Sequence, residues 1–251
     1  MLFYSRQNKW ILSLFPVIKF SLFDFKVKRL MGRKRSRRYS EVESYDNFIN
    51  VNVTGLDPVV FDKTWDNDFF GNDNGITLEL GCGRGEYTLN LARRHPERNF
   101  IGIDVKGDRL CIGARKATEE NLHNVIFIRI KIENILNFLP KSCIHEAWIP
   151  FPDPHSRNES GKKRLTSPRF LDIYRNLIIP GGHIHLKTDD NTMYNFSKES
   201  IGNSPAEIIH DTNDLYGSEL DHPEVTTIHT TYEKRYLAES KKIKYISFAF
   251  K

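Results

Sequence analysis

Four acids in this chain stand where an apolar, strand-like run gives way to a polar loop: Glu79, Asp104, Asp153 and Asp189. The third is the most constrained. In Phe151-Pro152-Asp153-Pro154-His155 a carboxylate sits between two prolines, and a basic run from Arg157 to Arg164 follows at once. Proline fixes φ and pushes the residue before it away from helical geometry. Asp153 is therefore expected to be held rigidly at a strand end with cations just beyond it, which would aim one acid at a base of a polyanion. A strand-to-loop turn followed by a solvated basic loop accounts for the same residues.

The second feature is Glu79-Leu80-Gly81-Cys82-Gly83-Arg84-Gly85-Glu86. Glycine permits φ > 0 and lets the backbone approach a ligand closely. The dinucleotide fingerprint is G-x-G-x-x-G; here the third glycine comes one residue early and Glu86 takes its place. A carboxylate there would repel a pyrophosphate, so the expected ligand is cationic or zwitterionic at its near end. S-adenosylmethionine fits, with an amino acid, a sulfonium and no phosphate. Asp104 ends the next apolar run and could accept hydrogen bonds from both ribose hydroxyls; a helix N-cap is the competing reading. The cysteines Cys82, Cys111 and Cys143 have no metal-ligand spacing, and His155 has no second ligand at such spacing. No metal is expected, and a reduced, cytoplasmic setting fits.

These residues need elements to position them. The patterns predict strands at 76–80, 99–104, 125–130, 145–151, 183–188 and 242–250. Helices are predicted at 86–94, 109–121 and 168–177, the last ending before Pro180-Gly181-Gly182. Strands alternating with helices at this spacing argue for a doubly wound, mostly parallel α/β sheet. In such a sheet ligands lie at the carboxyl ends of the strands, where all four acids fall.

The chain's 251 residues carry a net charge of +5, with 39% hydrophobic and 27% charged residues, the composition of a globular domain whose mild basicity is compatible with a nucleic-acid partner without pointing to one. Trp10 to Phe23 is apolar but broken by Pro16 and Lys19, too short for a membrane span and lacking a clear cleavage site. Met31 opens a segment of different character, Arg33-Lys34-Arg35-Ser36-Arg37-Arg38. Residues 1–30 are expected to be an upstream extension, 31–60 a basic arm, and 61–251 the folded domain.

Taken in order, Glu79–Gly85, Asp104, Phe151-Pro152-Asp153-Pro154, Lys187-Thr188-Asp189 and Thr230-Thr231-Tyr232-Glu233 resemble the bacterial tRNA (guanine-N7)-methyltransferases. The resemblance runs from about Met31 to the C-terminus. It implies a Rossmann-like fold of the class I methyltransferase type, S-adenosylmethionine as cofactor, tRNA as partner, and methylation of the variable-loop guanosine at position 46. It makes Glu79, Asp104 and the loop of Gly81, Gly83 and Gly85 cofactor-binding, and Asp153 the catalytic residue beside both cofactor and base. Arg157 would contact substrate; Asp189, Thr230, Thr231, Tyr232 and Glu233 would hold the guanine. Two departures matter. Where many members have an acid and alanine beside the adenine, this chain has Lys131-Ile132-Glu133, so Glu133 is a substitute or only backbone serves. Where many have tryptophan after the proline motif, it has His155.

Guanine N7 already has an in-plane lone pair, so the task is alignment and stabilisation of charge moving onto the ring, not proton abstraction. Phosphate contacts are expected from Lys162, Lys163 and Arg164 and from the arm. For Glu233 a surface charge, and for Asp189 an N-cap, are the competing readings. Methyl transfer to another RNA site, a protein or a small molecule, and a non-catalytic RNA-binding module, are the alternative functions. A monomer and a homodimer fit equally.

Overall fold

A computed structural model of the chain describes residues 41–42, 44–51, 70–155 and 158–251. The expected extension, the arm's arginines and Arg157 lie outside the described residues. Among the described residues eight strands form one sheet: β1 (Phe48–Asn50), β2 (Ile76–Leu80), β3 (Asn99–Asp104), β4 (Val125–Arg129), β5 (Ile144–Pro150), β6 (Ile178–Thr188), β7 (Ala206–Thr212) and β8 (Lys244–Phe250). Their order is β1-β4-β3-β2-β5-β6-β8-β7. The first five pairings along that order are parallel, and β8 pairs antiparallel with both β6 and β7.

The parallel core explains the near-continuous apolar runs. β2 is buried at all five positions and β3 at its first five, because helices cover both faces. On one face α1 (Glu86–Arg94) and α2 (Gly107–Glu119) pack Tyr87, Leu89 and Ala114 with Phe127 and Trp148. On the other, α3 (Pro168–Leu177) brings Phe170, Leu171 and Tyr174 to Leu78, Ile101 and Ile149. The Phe127 ring fills the space left by glycines: a Cβ on Gly85, Gly102 or Gly113 would come within 2.4, 2.8 or 2.7 Å of it.

Several elements differ from expectation. α2 starts and stops two residues early. β6 begins at Ile178, straight from α3, and crosses Pro180-Gly181-Gly182 instead of starting after it. The pairing with β5 slips there, between Ile144 and Glu146, and an irregular stretch tolerates a proline that lacks an N–H. Gly182 is required by close approach, since a Cβ would meet the His145 carbonyl at 2.7 Å. β1 and β7 were not expected; both lie at sheet edges, and β7 is mixed in polarity and largely exposed. The chain also forms α4 (Asn191–Gly202), α5 (Pro223–Thr227) and α6 (Thr231–Ala238).

The order fixes where a ligand can sit. From β2 the chain winds outward through β3 and β4, then returns to place β5 on the other side of β2. The crevice at this reversal, outside the carboxyl ends of β2 and β5, is the binding position in doubly wound sheets. The glycine loop leaves β2 there, and the Phe151–His155 loop leaves β5 there.

Candidate active site

The glycine loop is built for backbone proximity. Gly81, Gly83 and Gly85 have φ of 71°, 57° and 68°, conformations that other residues adopt only with strain. They divide into two tasks. A Cβ on Gly83 would meet nothing within 4 Å, and one on Gly81 only Leu165 at 3.9 Å. Gly85 instead lies against Phe127 and serves packing.

Asp104 is pinned to this loop. Its Oδ2 accepts the Gly83 N–H at 2.9 Å and its Oδ1 the Lys106 N–H at 2.8 Å. It is not the N-cap of α2, whose N-cap is Lys106. One carboxylate thus fixes both the end of β3 and the middle of the loop. Glu79 is 4% exposed, and its Oε2 accepts from the Thr88 N–H at 2.7 Å and from the Thr88 hydroxyl. Burial pushes its pKa up to about 8; the Thr88 bonds offset part of this, and the Glu86 and Asp104 charges add to it.

Glu86, directly after the loop, reaches across to α6. Its two carboxylate oxygens accept the Thr231 N–H, at 2.6 Å, and the Thr231 hydroxyl. That carboxylate is bonded to α6 and still stands beside the loop, where its charge adds to the rise of the Glu79 pKa.

The Asp153 loop is strained as well as stiff. Phe151 and His155, on either side of the Pro-Asp-Pro core, have φ of 52° and 43°. Positive φ at bulky residues is costly and persists only where surroundings enforce it. Here the Phe151 N–H donates to the Lys187 carbonyl at 2.8 Å, and the ring packs 5.7 Å from that of Tyr236. Asp153 stands clear, its side chain 73% exposed, with Oδ1 accepting the His155 N–H at 3.0 Å.

Arg164 leaves the phosphate-facing set. It is 7% exposed, donates through Nε to the Pro154 carbonyl at 2.8 Å and through Nη2 to the His155 carbonyl at 3.2 Å, and lies over the Phe196 ring. Peptide oxygens and an aromatic face already satisfy this cation, so it clamps the Asp153 loop. Lys162 and Lys163 are exposed. Glu133 lies in a short 3-10 helix, Ile132–Asn137, and pairs with Arg169 of α3 at 3.1 Å.

At the end of β6, Asp190 caps α4 by accepting the Met193 N–H at 2.7 Å. The N-cap reading for Asp189 therefore fails. Lys241 lies 3.3 Å from the Asp189 carboxylate. Glu233 is not a surface charge: it is fully buried, its Oε1 2.5 Å from the Lys187 ammonium and 2.6 Å from the Tyr216 hydroxyl. Lys187 is equally buried and donates to the Val225 carbonyl at 2.7 Å; desolvation lowers its pKa against the pull of Glu233.

In the segment expected to hold guanine, three of the four side chains have partners within the protein. Thr230 caps α6 through the Glu233 N–H at 3.1 Å, Thr231 is held by Glu86, and Glu233 is held by Lys187. Thr231 and Tyr232 are both exposed, Tyr232 at 50%. The pattern Thr230-x-x-Glu233 is a capping-box signature, which signals the cap from sequence. The partners Lys187 and Glu86 had no local signal, since each lies far along the chain.

A parallel α/β sheet with a glycine loop at its reversal point, an acid pinned to that loop and a further acid at the neighbouring strand end defines a class I methyltransferase fold. Residues 73–246 match the family described as "Putative methyltransferase". Solved structures agree on the fold: the 16S rRNA methyltransferase KamB superposes with a TM-score of 0.55 at 14% identity, covering 76% of this chain and 94% of its own. An antibiotic-related methyltransferase superposes with a TM-score of 0.53 at 19% identity, covering 80% and 99%. The tRNA (guanine-N(7)-)-methyltransferase of Christiangramia forsetii is 43% identical over 224 residues, 88% of this chain and all of that one. That of Bacteroides thetaiotaomicron is 40% identical over 222 residues, 87% and 86%. The chain belongs to the tRNA (guanine-N7)-methyltransferase family.

Proposed function

We propose that this protein transfers a methyl group from S-adenosylmethionine to N7 of the position-46 guanosine in the tRNA variable loop. The observation that best supports a methyl-transfer site is the pairing, across the β2/β5 crevice, of an open glycine cradle with an exposed carboxylate on a strained loop. The guanine-N7 assignment draws on the relatives.

The residues present fit the cofactor. The space over Gly81 and Gly83 admits a backbone-hugging ligand, and Asp104 stands at its rim with both oxygens already oriented by loop amides. Gly81 and Gly83 would lie against the ligand, Asp104 would take the ribose, and Glu79 would face the ammonium. When bound, S-adenosylmethionine supplies an electrophilic methyl carbon on a sulfonium. Asp153 orients the guanine and offsets the positive charge that develops on its ring, the kind of fixed electrostatic complement that is usually the largest catalytic contribution. Asp189 and the first turn of α6, where Thr231 and Tyr232 are exposed, hold the base in line. Holding reacting atoms in line is worth roughly 7–11 kcal/mol in favourable cases. Arg157 contacts substrate, and Lys162 and Lys163 bind phosphates. The target base is partly buried in folded tRNA, so local opening accompanies its capture.

The test is incubation of unmodified tRNA with labelled S-adenosylmethionine, followed by nucleoside analysis. Label is expected in N7-methylguanosine; label in any other nucleoside refutes the assignment. Asp153→Asn should lower kcat by roughly 10²-fold or more with cofactor affinity retained, as for loss of one transition-state contact.

A further inference from the structure

The first turn of α6 is held from two sides. Lys187 of β6 takes Glu233. From the opposite side Glu86, the residue that directly follows the glycine loop, takes both the N–H and the hydroxyl of Thr231. A helix leaves its first N–H groups without internal partners, and a carboxylate at that end also complements the helix dipole. Glu86 itself begins α1. One side chain therefore sits at the N-termini of two helices, one carrying the cofactor-side loop and the other the base-side segment.

We infer that Glu86 is a positioning residue: it registers the base-holding turn Thr230–Glu233 against the glycine loop, and so sets the line from guanine to methyl donor. This rests on the base-holding role proposed above for that turn. Other contacts join α1 to the same stretch of chain, among them the Tyr87 hydroxyl to the Glu224 carbonyl at 2.8 Å and Arg94 to the Thr227 hydroxyl at 2.7 Å. They lie further from the loop and keep the stretch docked when Glu86 is removed. Losing Glu86 should thus loosen register without unfolding the region.

The test compares wild type, Glu86→Ala, Thr231→Val and the double variant. Steady-state kinetics on unmodified tRNA are read together with cofactor titration and amide exchange. In Glu86→Ala, kcat should fall at least about tenfold, since misplacement by about 1 Å can cost 10²-fold. KM for tRNA and Kd for S-adenosylmethionine should stay within about twofold, the signature of an effect on the reacting geometry alone. Amide exchange across residues 230–234 should quicken while the 81–85 loop stays protected. The double variant should be no worse than the poorer single, as expected for two groups in one contact. Unchanged kcat, a rise in cofactor Kd matching the loss in kcat, unchanged exchange at 230–234, or additive losses would each overturn the inference. A wild-type protein that labels no tRNA guanine overturns the functional reading instead, and the exchange result still tells whether the link holds the turn.

Discussion

Removing the Lys187 ammonium tests how the first turn of α6 is anchored. Lys187 and Glu233 are both fully buried, 2.5 Å apart, and the same ammonium donates to the Val225 carbonyl. Lys187→Met keeps most of the apolar stem but leaves the Glu233 carboxylate in a dry site without its cation. Breaking a buried pair from one side costs about 3–5 kcal/mol, because the remaining charge is uncompensated. An ordinary hydrogen bond contributes only about 1 kcal/mol net, so the lost Val225 contact is the smaller part. In a chain of this size each kcal/mol moves Tm by about 2–4 °C, and melting should fall by roughly 10 °C. Adding Glu233→Gln removes the stranded charge while leaving an acceptor for the Tyr216 hydroxyl. Stability should then recover by a few kcal/mol, since replacing both members of a buried pair is often near neutral. Thermal and urea melts of the wild type, the Lys187→Met and Glu233→Gln singles and the double variant measure this directly. A Lys187→Met protein that melts within about 2 °C of wild type, or a double variant showing the plain sum of two single losses, would refute the reasoning.

Three further outcomes are expected. Glu79 has a folded pKa raised to about 8 from 4.5, so its contribution to stability is complete below about pH 4.5 and is lost as pH rises through about 8. Ligand-free wild type should therefore lose stability between pH 6 and pH 9 more steeply than Glu79→Gln, and S-adenosylmethionine binding should release a proton near pH 7, read by calorimetry in buffers of different ionisation enthalpy; no release would remove Glu79 from the ammonium site. Replacing Lys162 and Lys163 by Ala should make the salt dependence of tRNA binding shallower by about 1–2 in log–log slope, and an unaltered slope would return both to plain solvated residues. Gly85→Ala should lower Tm sharply because its Cβ would meet Phe127 at 2.4 Å, whereas Gly83→Ala, with open space, should chiefly weaken cofactor binding, apart from about 1–2 kcal/mol for the left-handed backbone; equal Tm losses would contradict this division.

Much of the site was legible because local patterns carried it. Apolar runs of five or six residues, punctuated by glycine and proline, located β2, β3 and β4, and each acid at a strand end followed from where its run stopped. The glycine loop and the Asp153 motif are contiguous, so their residue types speak for themselves. β1 and β7 were missed for the converse reason: they are edge strands, one only three residues long and the other largely exposed, and weakly patterned.

What the sequence by itself determined is the alternation of the inner strands β2 to β5 with their helices, the glycine loop after β2, and the placement of Glu79, Asp104, Asp153 and Asp189 at or near strand ends. Short-range sterics and side-chain periodicity are enough for these. Only the tertiary structure decided which charges are spent on the protein itself. Arg164 reads as one more cation in a basic run, yet folds back onto the Pro154 and His155 carbonyls. Glu233 reads as a surface acid beside Lys234 and Arg235, yet is buried against Lys187. Glu86 lies 145 residues before Thr231. A charge far along the chain becomes a partner only when the sheet order brings it there. For Arg164 and Glu233 burial then makes the pairing compulsory, because an unpaired charge in the interior costs more than the fold can spare.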